Sequence, residues 1–183
     1  SKLYAISEAW SDYTIHRCQK RNDDGSFDTP DVIIIYRGTN DLSHAPYSRI
    51  DEVDITNGIP ETDFDGSNYQ FKRGYYLTIQ KLREAYPNAI IYCATLNVFK
   101  RIIYDKFPTR NGIYTLPQMN NVIREIANTM GCGIIEFDKD GITFENCYKE
   151  GYITDSETIP THPNSKGHEV MARKAISDIT HTL

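Results

Sequence analysis

The sequence predicts an α/β protein built on a parallel sheet with helices packed against it, and three observations carry this prediction. The β-branched run Val32 to Ile35 has no polar interruption, which is typical of a strand buried on both faces. Further apolar strand patterns, at residues 89–96 and 132–137, alternate with helical patterns. The first strand ends in Gly38-Thr39-Asn40-Asp41. Since open α/β sheets bind ligands at the carboxyl ends of their strands, this turn predicts a site.

Composition agrees with one compact domain over residues 1–183. Of the 183 residues, 39% are hydrophobic and 25% are charged, as in ordinary globular proteins. No stretch approaches the ~20 apolar residues of a membrane span. The net charge of −5 argues against a nucleic-acid partner. The compartment stays open.

Neither a metal nor a cofactor is expected. Four cysteines show no Cys-x-x-Cys spacing, so buried free thiols are the expected state: Cys18, Cys93, Cys132 and Cys147. His168-Glu169 resembles the start of a zinc motif, but no second histidine follows at the required spacing. A glycine-rich phosphate loop after a strand is also absent, which argues against a nucleotide binder.

Three longer helices are predicted. The first, capped by Ser67 or Asn68, has a periodic apolar face: Phe71, Tyr75, Ile79, Leu82 and Tyr86. The second begins at Thr115, with Pro117 in its first turn, and ends before Gly131. The last runs from about Ser165 to Ile179 and is expected to bury one face: Val170 or Met171, Ala172, Ala175, Ile176 and Ile179.

Shorter elements and two long segments complete the chain. A short strand is expected within residues 2–7, a turn at 138–141 and a short helix within 143–150. The polar segment 42–67 is either a substrate-selecting lid or a solvated insertion. The basic segment 97–114 is either a pocket wall that favours an anionic or sugar-linked substrate or a solvated loop.

Two motifs carry the chemistry. Gly38 permits a sharp turn that presents Asn40 at the end of the strand, although Asn40 and Asp41 can also simply close a turn or cap a helix. Near the other end stands Thr161-His162-Pro163-Asn164, followed by Gly167. Pro163 keeps His162 outside the last helix, which Asn164 or Ser165 can cap. A histidine held in this way is well placed to act as a general base.

These two motifs together resemble the SGNH hydrolases, the GDSL-like lipase and esterase family. Gly38, Asn40 and Asp41 match the family's third block, and His162-Pro163 with Gly167 matches its fifth. The resemblance implies a flavodoxin-like three-layer α/β/α fold with strand order 2-1-3-4-5. It also implies hydrolysis of an ester, often an acyl group on a carbohydrate or lipid, with Asn40 as an oxyanion donor and His162 as the base that activates a serine.

The chain departs from the family pattern at three places. No Gly-Asp-Ser follows a hydrophobic strand, so the strand that bears the nucleophile is expected outside this chain, in a missing N-terminal segment or a second polypeptide. Asp12 stands where the family has an oxyanion-hole glycine. Ile159 stands where the triad acid is usual; either Asp155 or Glu157 substitutes from nearby, or a backbone carbonyl orients the histidine. The competing hypothesis is a non-catalytic relative or inactive fragment that binds a carbohydrate or another partner.

Overall fold

The computed structural model describes residue 24 and residues 29–38, 55–57, 71–97, 115–143, 146–153 and 162–181. Three strands and five helices lie within these residues. The strands are β1 (Val32–Ile35), β2 (Ile90–Ala94) and β3 (Gly133–Ile135). The helices are α1 (Phe71–Ala85), α2 (Leu116–Thr129), α3 (Phe137–Asp140), α4 (Asn146–Lys149) and α5 (Ser165–Thr180).

The three strands form one parallel sheet in the order β1-β2-β3. Ile35 pairs with Cys93, and Cys93 in turn pairs with Ile134. Helix α1 connects β1 to β2, and α2 connects β2 to β3, so the predicted alternation of parallel strands and helices is confirmed. The sequential order is also that of the last three strands in the predicted 2-1-3-4-5 sheet.

The two faces of the sheet are covered unequally. Helix α1 packs on the face that carries Cys93, since the Tyr75 hydroxyl donates to the Ile35 carbonyl at 3.1 Å and interacts with the Cys93 thiol. On the opposite face Tyr92 lies against Gly133 and is only 1% exposed, because that face is covered near β3. Towards β1, however, Val32 and Ile34 are 43% and 47% exposed. The prediction that the first strand is buried on both faces is therefore wrong for this face, because α5 packs mainly against β3.

The first long helix buries the residues that its periodicity predicted, and the second begins at the predicted cap. The whole apolar stripe of the first helix is buried: Phe71, Tyr75, Ile79, Leu82 and Tyr86. Thr115 is the N-cap of α2, where the Gln118 amide donates to the Thr115 hydroxyl oxygen and the Gln118 side chain accepts from the Thr115 amide. This capping box satisfies two amides at the helix start, and Gly131, at a φ of 60°, follows the helix end.

The last helix buries a narrower stripe than predicted. Gly167 and Met171 are buried, and Ala175 and Ile179 are partly buried against the core, so the contact residues recur every fourth position. Ala172 is exposed and Ile176 is 63% exposed, which contradicts the expectation for both. The reason is geometric, since each lies one position beyond the contact stripe on the helix surface.

The region after β3 also differs from expectation. The strand ends at Ile135, two residues early, and residues 137–140 form the helical turn α3 in place of a simple turn. The predicted short helix is present as α4. Of the two long segments, only 55–57 and Asn97 lie within the described residues, and Ile55 is buried in the core. The predicted strand at residues 2–7 lies outside them.

Candidate functional site

The carboxyl ends of the three parallel strands lie at one edge of the sheet, where α/β proteins bind ligands. Residues 36–38 follow β1, residues 95–97 follow β2 and residues 136–138 follow β3. His162 immediately precedes the Pro163-Asn164 entrance to α5. The site is built from these four short stretches.

Gly38 turns the chain after β1 in a way that the sequence anticipated. Its φ is 128°, which side-chain-bearing residues rarely adopt. A Cβ atom at this position would lie 3.0 Å from Cε2 of Phe71 and 3.3 Å from Cδ1 of Leu96. Both the backbone angle and the packing therefore require glycine two residues before Asn40, which itself lies outside the described residues.

Tyr36 and Asn97 join the ends of β1 and β2. The Tyr36 hydroxyl donates to Oδ1 of Asn97, which is fully buried. The ring of Tyr36 also meets that of Phe137 edge to face, with centroids 5.4 Å apart and an interplanar angle of 90°. This contact extends the connection to the residues that follow β3.

A charged network braces the end of β3. The Thr95 hydroxyl donates to Oδ1 of Asp138 at 2.7 Å, and Nη2 of Arg124 lies 2.7 Å from both oxygens of the same carboxylate. Nε of Arg124 donates to Oε1 of Glu136 at 2.9 Å. Burial opposes ionisation of Glu136, but hydrogen bonds from Lys139 and Arg124 outweigh it and lower the pKa of Glu136. The Glu136 carboxylate is held ionised by these two cations, and the Asp138 carboxylate is occupied by Arg124 and Thr95, so both are suited to bracing the edge and not to proton transfer.

His162 is exposed and lies before the helix, as predicted. Pro163 forms an isolated antiparallel bridge with Ile153, and Asn164 caps α5 by accepting from the Gly167 amide at 3.0 Å. Nδ2 of Asn164 donates to the Gly151 carbonyl at 2.6 Å. The backbone beside His162 is therefore attached to residues 151–153 from two sides.

Helix α5 is in turn tied to the sheet edge. The Glu136 amide donates to Oδ2 of Asp178 at 2.8 Å, and Nζ of Lys174 donates to Oδ1 of Asp178, also at 2.8 Å. The Asp178 contact raises the pKa of Lys174, although burial opposes it. A Cβ atom added at Gly38 would lie against Phe71 and Leu96, and one added at Gly167 would lie against Ile142. These three apolar side chains belong to one core cluster, so both predicted motifs lie beside the same core.

Only part of the predicted site lies in the described residues. Gly38 and His162 are described; Asn40, Asp12, Asp155 and the alternative acid Glu157 fall outside. The sequence analysis did not identify several residues whose side chains form hydrogen bonds or ion pairs at this edge of the sheet: Tyr36, Thr95, Asn97, Arg124 and Asp138. Thr95, Asn97 and Asp138 carry the same sequence feature that singled out Asn40, a polar residue just after an apolar strand. Arg124 lies within a helix, where only the fold reveals its role.

No group of three or more His, Cys, Asp or Glu side chains is arranged to hold a metal ion in the part of the chain that the structure describes. Among the helices described, none is both long and apolar enough to cross a membrane.

Comparison with known proteins identifies the family. The model of the GDSL-like lipase/acylhydrolase family matches residues 2–170. No curated protein matches. A solved structure from Lactobacillus plantarum is similar with a TM-score of 0.64 at 16% identity, over 100% of this chain and 77% of the other. A peptidoglycan O-acetylesterase gives a TM-score of 0.54 at 15% identity, over 83% of this chain and 37% of that one. At these identities the structures support the SGNH hydrolase fold, and the match over residues 2–170 shows that this chain belongs to the GDSL-like lipase/acylhydrolase family.

Proposed function

We propose that the protein is a serine ester hydrolase in which His162 is the general base and Asn40 donates to the oxyanion. The observation that carries the proposal is the placement of His162, exposed and held outside α5 by Pro163 and the Asn164 cap, in a chain of the acylhydrolase family. An exposed imidazole on a braced backbone can reach a substrate without losing its orientation.

The chemistry follows from the roles of these groups. His162 takes the proton of a serine hydroxyl, which attacks the ester carbonyl, and the Asn40 side chain stabilises the negative charge on the carbonyl oxygen. The protonated imidazole then donates to the leaving alcohol, and water hydrolyses the acyl-enzyme. Asp155 or Glu157 is proposed to orient the imidazole. Asp12 is the residue proposed next to the oxyanion, where its carboxylate opposes the developing charge unless it is turned away.

The nucleophilic serine is proposed to lie outside these 183 residues, since the sequence contains no Gly-Asp-Ser after a hydrophobic strand. It comes from a preceding segment or from a second polypeptide. A serine-directed fluorophosphonate probe, applied to the protein isolated from its natural source and followed by peptide mass spectrometry, locates it. A labelled serine outside residues 1–183 supports the proposal, and a labelled serine within them contradicts this part of it.

The proposed substrate is a small ester in which an acyl group is attached to a carbohydrate or a lipid. A peptidoglycan O-acetylesterase shares the fold, so acetylated carbohydrate is the first class to assay beside a generic acetyl ester. The lid and pocket-wall roles of segments 42–67 and 97–114 belong to this proposal, and deleting residues 43–53 is expected to change substrate preference.

The decisive variants are His162→Gln and Asn40→Ala, made in the active, unlabelled protein that contains the serine located by the probe. We expect His162→Gln to lower kcat by about 10²–10⁴-fold, because a general base is lost. Asn40→Ala should lower kcat by about 10²–10³-fold with little change in KM, since the oxyanion forms only in the transition state.

The chain offers a matched control for each variant. His168→Gln changes a second exposed histidine, in the first turn of α5, and Asn88→Ala changes an exposed asparagine in the turn before β2, outside the segments proposed as lid and pocket wall. Both should retain the parental rate. Equal rates for His162→Gln and His168→Gln would refute the assignment of the base.

A second candidate is a non-catalytic domain that binds acylated carbohydrate or another partner. The absence of Gly-Asp-Ser, with Asp12 and Ile159 at family positions, favours it. Failure of the fluorophosphonate probe to label any serine, combined with saturable binding of an acetylated oligosaccharide in calorimetry, would establish this function in place of hydrolysis.

A further inference from the structure

Two cysteines meet on one face of the sheet, away from the candidate active site. Cys93 lies within β2 and pairs with Ile134, while Cys132 lies two residues before Ile134, so the two side chains project to the same face. The Cys93 and Cys132 thiols are neighbours on that face, close enough for a hydrogen bond between them. Cys93 is fully buried, whereas Cys132 is partly exposed.

Arg83 supplies a positive charge to this pair. Its Nη2 atom lies 3.6 Å from Sγ of Cys132 and also donates to the carbonyls of Met130 and Gly131, which follow α2. These carbonyl contacts hold the guanidinium beside the sulfur. A cation and a hydrogen-bond donor both favour the thiolate over the thiol.

We propose that Cys132 is a reactive thiol, activated by Cys93 and Arg83, and that it is a site of modification by hydroperoxides and other soft electrophiles. In the reaction, the Cys132 thiolate attacks an oxygen of the hydroperoxide. A sulfur–oxygen bond forms as the oxygen–oxygen bond breaks, and the alkoxide that leaves takes a proton from solvent. Sulfur is oxidised by two electrons to a sulfenic acid, and the hydroperoxide is reduced to an alcohol.

The charges around the pair agree with this assignment. The hydrogen bond from Cys93 and the charge of Arg83 lower the pKa of Cys132, although its partial burial opposes this. The same hydrogen bond, together with burial, raises the pKa of Cys93, so Cys93 keeps its proton and remains the donor. The Tyr75 hydroxyl, from α1, also faces Cys93, and burial raises the pKa of that phenol, so it stays neutral.

The positive charge of Arg83 favours reaction of the thiol pair with an electrophile over binding of a metal cation. Paired cysteines can bind a soft metal cation, but Arg83 beside Cys132 repels a cation and attracts an anionic transition state. Cys132 lies one residue before the amino end of β3, whereas Glu136 and Asp138 follow its carboxyl end. Modification therefore takes place at the opposite edge of the sheet from the candidate active site, and the inference does not depend on the proposed hydrolase activity.

The test is site-resolved alkylation of the folded protein with limiting iodoacetamide across pH 5–10, read by peptide mass spectrometry in a Cys18→Ser background. We expect Cys132 to react first, with a midpoint below the ~8.5 of an ordinary thiol. Buried Cys147 is the internal reference for accessibility. Hydroperoxide with dimedone should then trap Cys132, and a Cys93–Cys132 disulfide counts equally as oxidation of the pair.

Variants of the donor separate activation from mere exposure. Cys93→Ala should slow the alkylation of Cys132 at pH 7 about tenfold and raise its midpoint, because the thiolate loses a hydrogen bond. Cys93→Ser keeps a hydroxyl donor and should restore most of the rate. If Cys93→Ala does not fold, Arg83→Gln provides the same test. A Cys132 midpoint at or above that of an ordinary thiol, unchanged in these variants, would overturn the proposal.

Discussion

Replacing Gly38 with alanine tests whether the turn that leads to Asn40 is fixed by packing as well as by backbone conformation. Alanine would have to adopt a φ of 128°, and its Cβ would lie 3.0 Å and 3.2 Å from two ring atoms of Phe71. Phe71 is 1% exposed, so its ring has no free space into which to move. Both effects destabilise the folded protein.

The magnitude can be built from these two contributions. A side-chain-bearing residue held in a rarely populated backbone conformation costs about 1–3 kcal/mol. Overpacking in a dense core adds about 1–3 kcal/mol. Alanine also restricts the unfolded chain more than glycine does, which stabilises the folded protein by about 0.4–1 kcal/mol. We therefore expect Gly38→Ala to lower the free energy of unfolding by roughly 1–6 kcal/mol.

Gly131→Ala is the matched control. Gly131 also has a positive φ, 60°, but a Cβ there would meet nothing within 4 Å. Only the backbone contribution remains, so the expected loss is about 1–2 kcal/mol. Urea unfolding monitored by circular dichroism measures both losses.

A double-mutant cycle with Phe71→Leu isolates the packing contribution. If the clash with the ring is real, Phe71→Leu should be less costly in the Gly38→Ala background than in the parent, by about 1 kcal/mol or more. Equal destabilisation by Gly38→Ala and Gly131→Ala, with no coupling to Phe71, would refute the reasoning.

Three further predictions concern other parts of the fold. Thr115→Ala and Asn164→Ala should each lower the free energy of unfolding by about 1 kcal/mol through loss of an N-cap. Only Asn164→Ala should also lower the rate of ester hydrolysis, because Asn164 fixes the backbone at the start of α5 beside His162. Equal effects of the two variants on this rate would contradict the prediction. Gly133→Ala should lower the free energy of unfolding by about 1–3 kcal/mol in urea, since its Cβ would lie 2.3 Å from the buried Tyr92 ring. A decrease no larger than that caused by Gly131→Ala would contradict this prediction. The pKa of Glu136 is lowered in the folded state, so its stabilising contribution is complete above the unfolded pKa of ~4.3 and is lost as pH falls through the lower folded pKa. Glu136→Gln should therefore weaken the dependence of the free energy of unfolding on pH in that acid range. An unchanged dependence would count against the ion pairs with Arg124 and Lys139.

Local patterns in the sequence were sufficient to predict the strands and longer helices and many of the buried core residues. The stripe from Phe71 to Tyr86 and the Thr115 cap are properties of residues three or four apart, and the structure places them as predicted. The Asn164 cap and the glycine requirement at Gly38 are equally local, since each depends on a turn of only a few residues. These predictions succeeded because short-range sterics and hydrogen bonding decide them.

Long-range packing decided what those patterns left open. The Val and Ile run of β1 predicts burial on two faces, but exposure of Val32 and Ile34 depends on which strand α5 reaches. Ala172 and Ile176 are apolar in sequence yet lie outside the contact stripe, because the position of α5 over β3 sets its orientation. Helix amphipathicity alone does not contain that information.

The family could be identified from two motifs, Gly38-Thr39-Asn40-Asp41 and His162-Pro163, since each is contiguous and chemically specific. Only the tertiary structure showed that Arg124 braces Asp138 and Glu136, and that Arg83, Cys93 and Cys132 meet. Arg124 and Asp138 are 14 residues apart, and Arg83 and Cys132 are 49 apart. Contacts of this kind form when parallel strands and their crossover helices pack, and no local pattern encodes which distant side chains will then be neighbours.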